Sequence, residues 1–133
     1  MNRRYVEIAK RAKHRCEYCR APEVVFNFPF EVEHIIPLSQ QGTNDQANLA
    51  LACRSCNLRK GSRINGFISE SSKSIRFFHP RKDQWSEHFQ INIELGKIIG
   101  ITPVGEVTVE YLGMNSPAQV AARQLWIRLD LFP

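Results

Sequence analysis

The chain has 133 residues, 43% of them hydrophobic and 23% charged, with a formal net charge of +5. That is about one domain's worth of chain with a modest core and an ordinary globular composition, and no apolar run approaches the roughly 18–20 residues that a membrane span requires. The start, Met1-Asn2-Arg3-Arg4-Tyr5, is charged and leads into no apolar stretch, so no signal peptide and a cytoplasmic location are expected. The charge is uneven: residues 1–82 hold 15 of the 18 Lys/Arg and 7 of the 13 Asp/Glu, a net of +8, while the remainder nets −3. A basic front suits a polyanion on one face; the plainer reading is a solvated basic surface.

In chain order, Asn2 is placed to cap a first helix over residues 5–14, where Tyr5, Ile8, Ala9 and Ala12 form an apolar stripe at helical spacing. Residues 24–28 are apolar enough for a short strand, and residues 30–36 alternate as a strand that stops at Pro37. Residues 39–48 form a polar loop, and Leu49-Ala50-Leu51-Ala52 a second, buried strand. A short helix fits from Arg54 to Lys60, with Gly61 as its stop. Residues 62–76 are polar and serine-containing (Ser62, Ser69, Ser71, Ser72, Ser74) and are expected to be a connection, with a helical turn near residues 64–68. Beyond it, residues 89–95 and 106–111 alternate and residues 97–101 are mostly apolar, which predicts a small antiparallel meander. A last helix is expected from Asn115 or Ser116, with Pro117 in its first turn, to about Asp130. There is no internal repeat.

Four cysteines occur as two pairs, Cys16-Glu17-Tyr18-Cys19 and Cys53-Arg54-Ser55-Cys56. A reducing compartment disfavours disulfides, and two Cys-x-x-Cys knuckles suit one tetrahedral structural zinc site of four thiolates. A redox pair or four unrelated buried cysteines are the alternatives. The gap between Cys19 and Cys53 exceeds that of a compact zinc ribbon, so something is inserted between the knuckles.

The insertion reads Glu33-His34-Ile35-Ile36-Pro37, then Gly42, then Asn48-Leu49, then Cys53-Arg54-Ser55-Cys56-Asn57 and Lys60-Gly61. With its flanking knuckles it resembles the HNH endonuclease family, in the zinc-containing branch with a Cys-x-x-Cys on either side of the active site. The resemblance covers about residues 14–61 and implies a ββα-metal unit, two strands and a helix around one divalent ion. It implies His34 as general base, since a neutral imidazole takes a proton from water near neutral pH. It implies Glu33 and Asn57 as ligands of a hard catalytic ion, Mg²⁺ or Mn²⁺, and Asn48 as the residue that ties the loop to the strand and orients His34. Asn57 stands where the family often has His, and Gln41-Gly42 where it often has two glycines. Neighbours on a regular strand face opposite ways, so Glu33 joins His34 in one site only if the backbone leaves strand geometry there; Glu31 is the reserve ligand.

Arg54, Arg59, Lys60 and Arg63 lie near the metal-bearing helix and are the candidate DNA-backbone contacts, with Lys73, Arg76, Arg81 and Lys82 following. The expected fold is α+β: a nuclease core with its zinc knuckles over residues 1–66, and a C-terminal extension of meander and helix over residues 67–133, packed on the core. The expected function is metal-dependent hydrolysis of DNA, double-stranded in this reading, with a monomer nicking one strand; monomer and dimer both stay open. A zinc-ribbon-type nucleic-acid binding module without catalysis and a protein interaction module are the competing readings.

Overall fold

The computed structural model describes residues 2–68 and 72–133. Helix α1 spans Tyr5–Arg11, shorter than the apolar stripe suggested. Lys13 and His14 take left-handed φ angles near +57° and +56° and turn the chain away. The residue preceding α1 is Arg4, and Asn2 Oδ1 accepts from the Arg4 N–H at 2.7 Å rather than capping the helix itself. The expected strand over residues 24–28 is absent; Glu23–Val25 is a 3₁₀ turn, held because Glu23 accepts from Tyr5 Oη, His14 and the Phe30 N–H.

Strands β1 (Glu31–His34) and β2 (Leu49–Ala52) pair antiparallel, with Glu31 opposite Ala52 and His34 opposite Leu49. The loop between them is tightened by two 3₁₀ turns, Leu38–Gln40 and Gln46–Asn48. Gly42 is required there: a Cβ would lie 1.7 Å from the Ile36 carbonyl oxygen. Helix α2 (Arg54–Lys60) starts on Cys53, whose sulfur accepts from the Cys56 N–H, and stops at Gly61. β1, β2 and α2 together form the ββα unit.

The stretch read as a connection holds a hairpin instead, β3 (Asn65–Phe67) with β4 (Ser74–Arg76), and no helical turn at residues 64–68. Residues 69–71, with Ser69 and Ser71, lie outside the described residues. A one-turn helix α3 (Trp85–His88) leads into the hairpin of β5 (Phe89–Asn92) and β6 (Lys97–Gly100). The expected third strand of a meander is helix α4 (Pro103–Tyr111). Thr102 Oγ1 caps it from the Gly105 N–H and Pro103 opens it, two signals that outweigh a six-residue alternation. Helix α5 (Pro117–Arg128) closes the chain after Ser116. The fold is thus mixed helix and small antiparallel pairs, and one buried apolar cluster draws on both parts of it, from Ile8, Tyr18, Leu49 and Leu51 to Phe78, Phe89, Ile98 and Trp126. Among the described residues no helix is long and apolar enough to cross a membrane.

Candidate active site and metal centre

The knuckles converge. The sulfurs of Cys16, Cys19, Cys53 and Cys56 all lie within 4.8 Å of one another and are buried, and Cys19 Sγ stands 3.8 Å from Cys53 Sγ. A tetrahedron of Zn–S bonds of about 2.3 Å has edges of about 3.8 Å. No disulfide links them. The donor set and spacing therefore suit a structural zinc ion, held between the first knuckle and the start of α2.

Around it the ββα unit presents two separate polar clusters. Glu31 and Glu33 point from β1 toward α2, as strand alternation requires. Glu33 is 5% exposed, and both its oxygens are engaged: Oε1 accepts from Tyr18 Oη at 2.5 Å and Oε2 from Lys60 Nζ at 2.8 Å. Burial pushes the Glu33 carboxyl up, and Lys60 and Tyr18 only partly offset that. Lys60, only 1% exposed, also donates to the carbonyls of His34 and Ile35 at 3.3 and 2.9 Å. Lys60 is therefore no phosphate contact, contrary to the expectation for it. Its ammonium is a structural cation under the end of β1, and the pair is the kind whose rupture leaves an uncompensated buried charge.

Glu31 is placed differently. It is partly exposed, accepts from Asn57 Nδ2, and stands 3.4 Å from Arg54 Nη1. Of the two β1 carboxylates, then, Glu31 and not Glu33 faces Asn57. A hard divalent ion commonly binds one or two carboxylates and keeps several waters. Glu31 with the Asn57 amide oxygen fits that requirement; Glu33, enclosed by Lys60 and Tyr18, does not.

His34 projects from the other face of β1. Its Nε2 lies 2.8 Å from Asn44 Oδ1, so with that oxygen as acceptor Nε2 donates and Nδ1 keeps its lone pair. Asn2, Arg3, Arg4, Asn44 and Leu49 line the cleft around it. Asn48, 8% exposed, spends its whole amide on the loop between β1 and β2: Oδ1 accepts from the Ile36 N–H at 2.9 Å, and Nδ2 donates to the Ile36 and Thr43 carbonyls at 2.9 and 2.8 Å. It locks the chain two residues beyond His34 to the start of β2.

Arg59 and Arg63, at the end of α2 and just beyond it, are exposed and have no carboxylate partner among the described residues. Arg63 lies over the Tyr111 ring at 5.5 Å and donates to the Arg59 carbonyl, and the Arg59 side chain lies against Gly113. Arg76 makes a two-pronged bond to Asp83, and Arg81 pairs with Glu17. Sequence reasoning missed the roles of Tyr18, Asn44 and the Glu33–Lys60 pair. The only signal for the last was two long charged side chains on elements that each bury one face.

Residues 16–63 match the family described as HNH endonuclease. No match was found among curated proteins or among solved structures. The match runs from the first knuckle through β1, β2 and α2 to just past Gly61, the segment that holds all four cysteines, His34, Asn48 and Asn57. Residues 16–63 of this chain are therefore similar to the HNH endonuclease family, and they hold a four-cysteine cluster positioned to form a metal site.

Proposed function

We propose that this protein is a divalent-ion-dependent endonuclease that hydrolyses DNA phosphodiester bonds, with His34 as general base. The observation that carries the reading is His34 itself: within an HNH-matching segment, it sits at the end of β1 with one ring nitrogen tethered to Asn44, in a cleft walled by Arg3 and Arg4. A tethered imidazole with a free nitrogen can take the proton of an attacking water. Guanidiniums beside it attract a phosphodiester and oppose the charge that develops on its oxygens.

The residues that fit the catalytic ion best are Glu31 and Asn57, in place of the Glu33–Asn57 pair expected from the resemblance. When bound, Mg²⁺ or Mn²⁺ would supply charge neutralisation at a non-bridging oxygen and at the leaving 3′ oxygen. β1 has a partner strand on one side only among the described residues, so a phosphodiester laid against its outer edge would meet side chains of both faces. Glu33 acts through Lys60, which grips the carbonyls of His34 and Ile35 and so sets the strand end that presents the base.

Carboxylate variants test this directly in a plasmid-nicking assay at graded Mg²⁺. Glu31→Gln is expected to raise the Mg²⁺ concentration needed for half-maximal rate at least tenfold, whereas Glu33→Gln is expected to lower stability with little change in that concentration. The opposite split returns the ion to Glu33. A second reading, nucleic-acid binding without cleavage, is favoured by the enclosure of Glu33; duplex binding with no metal-dependent nicking by the wild-type protein would establish it.

A further inference from the structure

Of the cations in and just after α2 that the sequence offered for DNA, Arg54 and Lys60 are paired with Glu31 and Glu33, while Arg63 lies over the Tyr111 ring. The cations on the opposite side of the β1–β2 hairpin have no carboxylate of their own among the described residues. Arg4 donates to the Asn44 carbonyl, and Arg11 to the carbonyls of Gln46 and Leu49 at 3.0 and 2.5 Å. Arg15 donates to the carbonyls of Arg20 and Leu131, and the Arg20 guanidinium lies 4.9 Å from the centre of the Trp85 ring. These partners are neutral: they fix where each guanidinium sits and leave its charge uncompensated. Among the described residues none of Arg3, Arg4, Arg11, Lys13, Arg15 and Arg20 forms an ion pair with a carboxylate.

Their placement is linear. Arg3 and Arg4 line the His34 cleft at the start of α1. Arg11, Lys13, Arg15 and Arg20 line a second cleft at its far end, over the first knuckle, floored by Phe78, Pro80 and Trp85. The two acids in that second cleft are already neutralised, Glu17 by Arg81 and Asp83 by Arg76. Between the clefts, Arg4 and Arg11 grip the loop of residues 44–49. Seven residues of helix span about 10 Å, the axial length of about three nucleotide steps of 3.4 Å. A single small anion fills one cleft; an extended polyphosphate backbone fills both and the helix between them.

We propose that the α1 face is the phosphate track of this protein, along which a DNA duplex runs from the His34 cleft past Arg11 to Lys13, Arg15 and Arg20 on the first knuckle, while Arg54 and Lys60 of α2 stay in their ion pairs. The inference rests on the DNA reading above and adds which face carries the nucleic acid.

The test is the affinity of the full-length, zinc-loaded protein for a short labelled duplex across a salt series, without added Mg²⁺ or Mn²⁺ so that binding is read apart from cleavage. Lys13→Gln/Arg20→Gln, both exposed positions, is expected to weaken binding about tenfold or more and to reduce the slope of log K against log salt by about 2, near 0.9 per lost phosphate contact. Arg59→Gln/Arg63→Gln is expected to stay within about twofold of wild type with an unchanged slope. If the double variant proves unstable, Lys13→Gln alone must lower the slope by about 1. The reverse pattern, with the Arg59/Arg63 pair decisive and the Lys13/Arg20 pair silent, overturns the track, as does a wild-type affinity indifferent to salt. Nicking assays on the same wild-type preparation separate the two ideas: binding along α1 without nicking sinks only the nuclease reading, and nicking with binding untouched by the α1 variants sinks only the track.

Discussion

The front of the molecule, residues 2–68, and the rear, residues 72–133, each bury one long cation, and they do it in opposite ways. In front, Lys60 has an acid of its own, Glu33, at 2.8 Å. In the rear, Arg123 is fully buried and has no carboxylate partner among the described residues; it donates to the carbonyls of Gly96 and Met114 and lies 5.7 Å from the centre of the Phe132 ring. Burial pushes the Arg123 guanidinium down, and what opposes that is the charge of Cys19, Cys56 and Cys53 across the boundary between the halves. Four thiolates around one Zn²⁺ would carry two negative charges in excess of the ion, a charge that the buried Arg123 would partly offset. The rear, which carries no catalytic motif, also braces the first knuckle of the front. Trp85 Nε1 does so by donating to the Tyr18 carbonyl between the first two cysteines at 2.7 Å, and Arg81 by pairing with Glu17.

If the halves depend on each other in this way, the largest effect should come from the metal. Stripping zinc with a strong chelator, or Cys53→Ser, is expected to abolish the cooperative melt of the whole chain, because structural zinc supplies on the order of 10 kcal/mol of folding free energy in small domains. Circular dichroism with metal analysis reads this, and a metal-free protein that melts like the wild type would break the account. Next is Lys60→Met, expected to cost about 3–5 kcal/mol in urea denaturation, since Glu33 is left buried and unpaired. Adding Glu33→Leu to that variant should restore most of the loss, and failure to do so would mean that packing rather than charge explains Lys60.

Arg123→Met sharpens the comparison itself. Zinc should be lost to a competing chelator at roughly tenfold lower concentration, about 1.4 kcal/mol, which is less than the roughly 4 kcal/mol of a contacting charge pair at an effective dielectric near 20. A variant less stable but with unchanged zinc retention would make Arg123 a packing residue only. The smallest effect expected is at Asp83. Burial pushes its carboxyl up, but the bonds from Arg76 and the His79 N–H and the charges of Arg76 and His88 outweigh that and hold it below the ordinary 3.8. A depressed carboxyl contributes stability above its unfolded value and loses it as pH falls through the folded one. Asp83→Asn should therefore lower the melting temperature at neutral pH and make progressively less difference as pH falls below about 3.8. An equal loss at every pH would exclude the ion pair as the cause.

What could be read from the sequence followed from local signals. The knuckle spacing gave the metal site, the apolar run at Leu49 gave β2, and Cys53 before a helical stretch ending in Gly61 gave α2. The α4 error arose because residues 106–111 satisfy both a period of two and a period of 3.6 over so short a span, while the cap at Thr102 lay outside the window. At the site, the family pattern named His34, Asn57 and Glu33, with Glu31 only in reserve, whereas it is Glu31 that faces Asn57. That depends on where α2 crosses β1, a tertiary fact that brings Lys60 to Glu33 and Asn57 to Glu31. Charge clustering located the basic front but not its working face, because an ion pair across elements looks the same in sequence as a free cation.

The central claim, that this protein cuts DNA with His34 as its base, is tested most directly by nicking of supercoiled plasmid by wild type and His34→Ala, with Mg²⁺ or Mn²⁺ and with chelator. The account predicts metal-dependent nicking by the wild type that falls at least a hundredfold in the variant, the usual scale of general-base catalysis, while both proteins bind duplex alike. Equal nicking by the two proteins, or none by the wild type despite tight duplex binding, would contradict it.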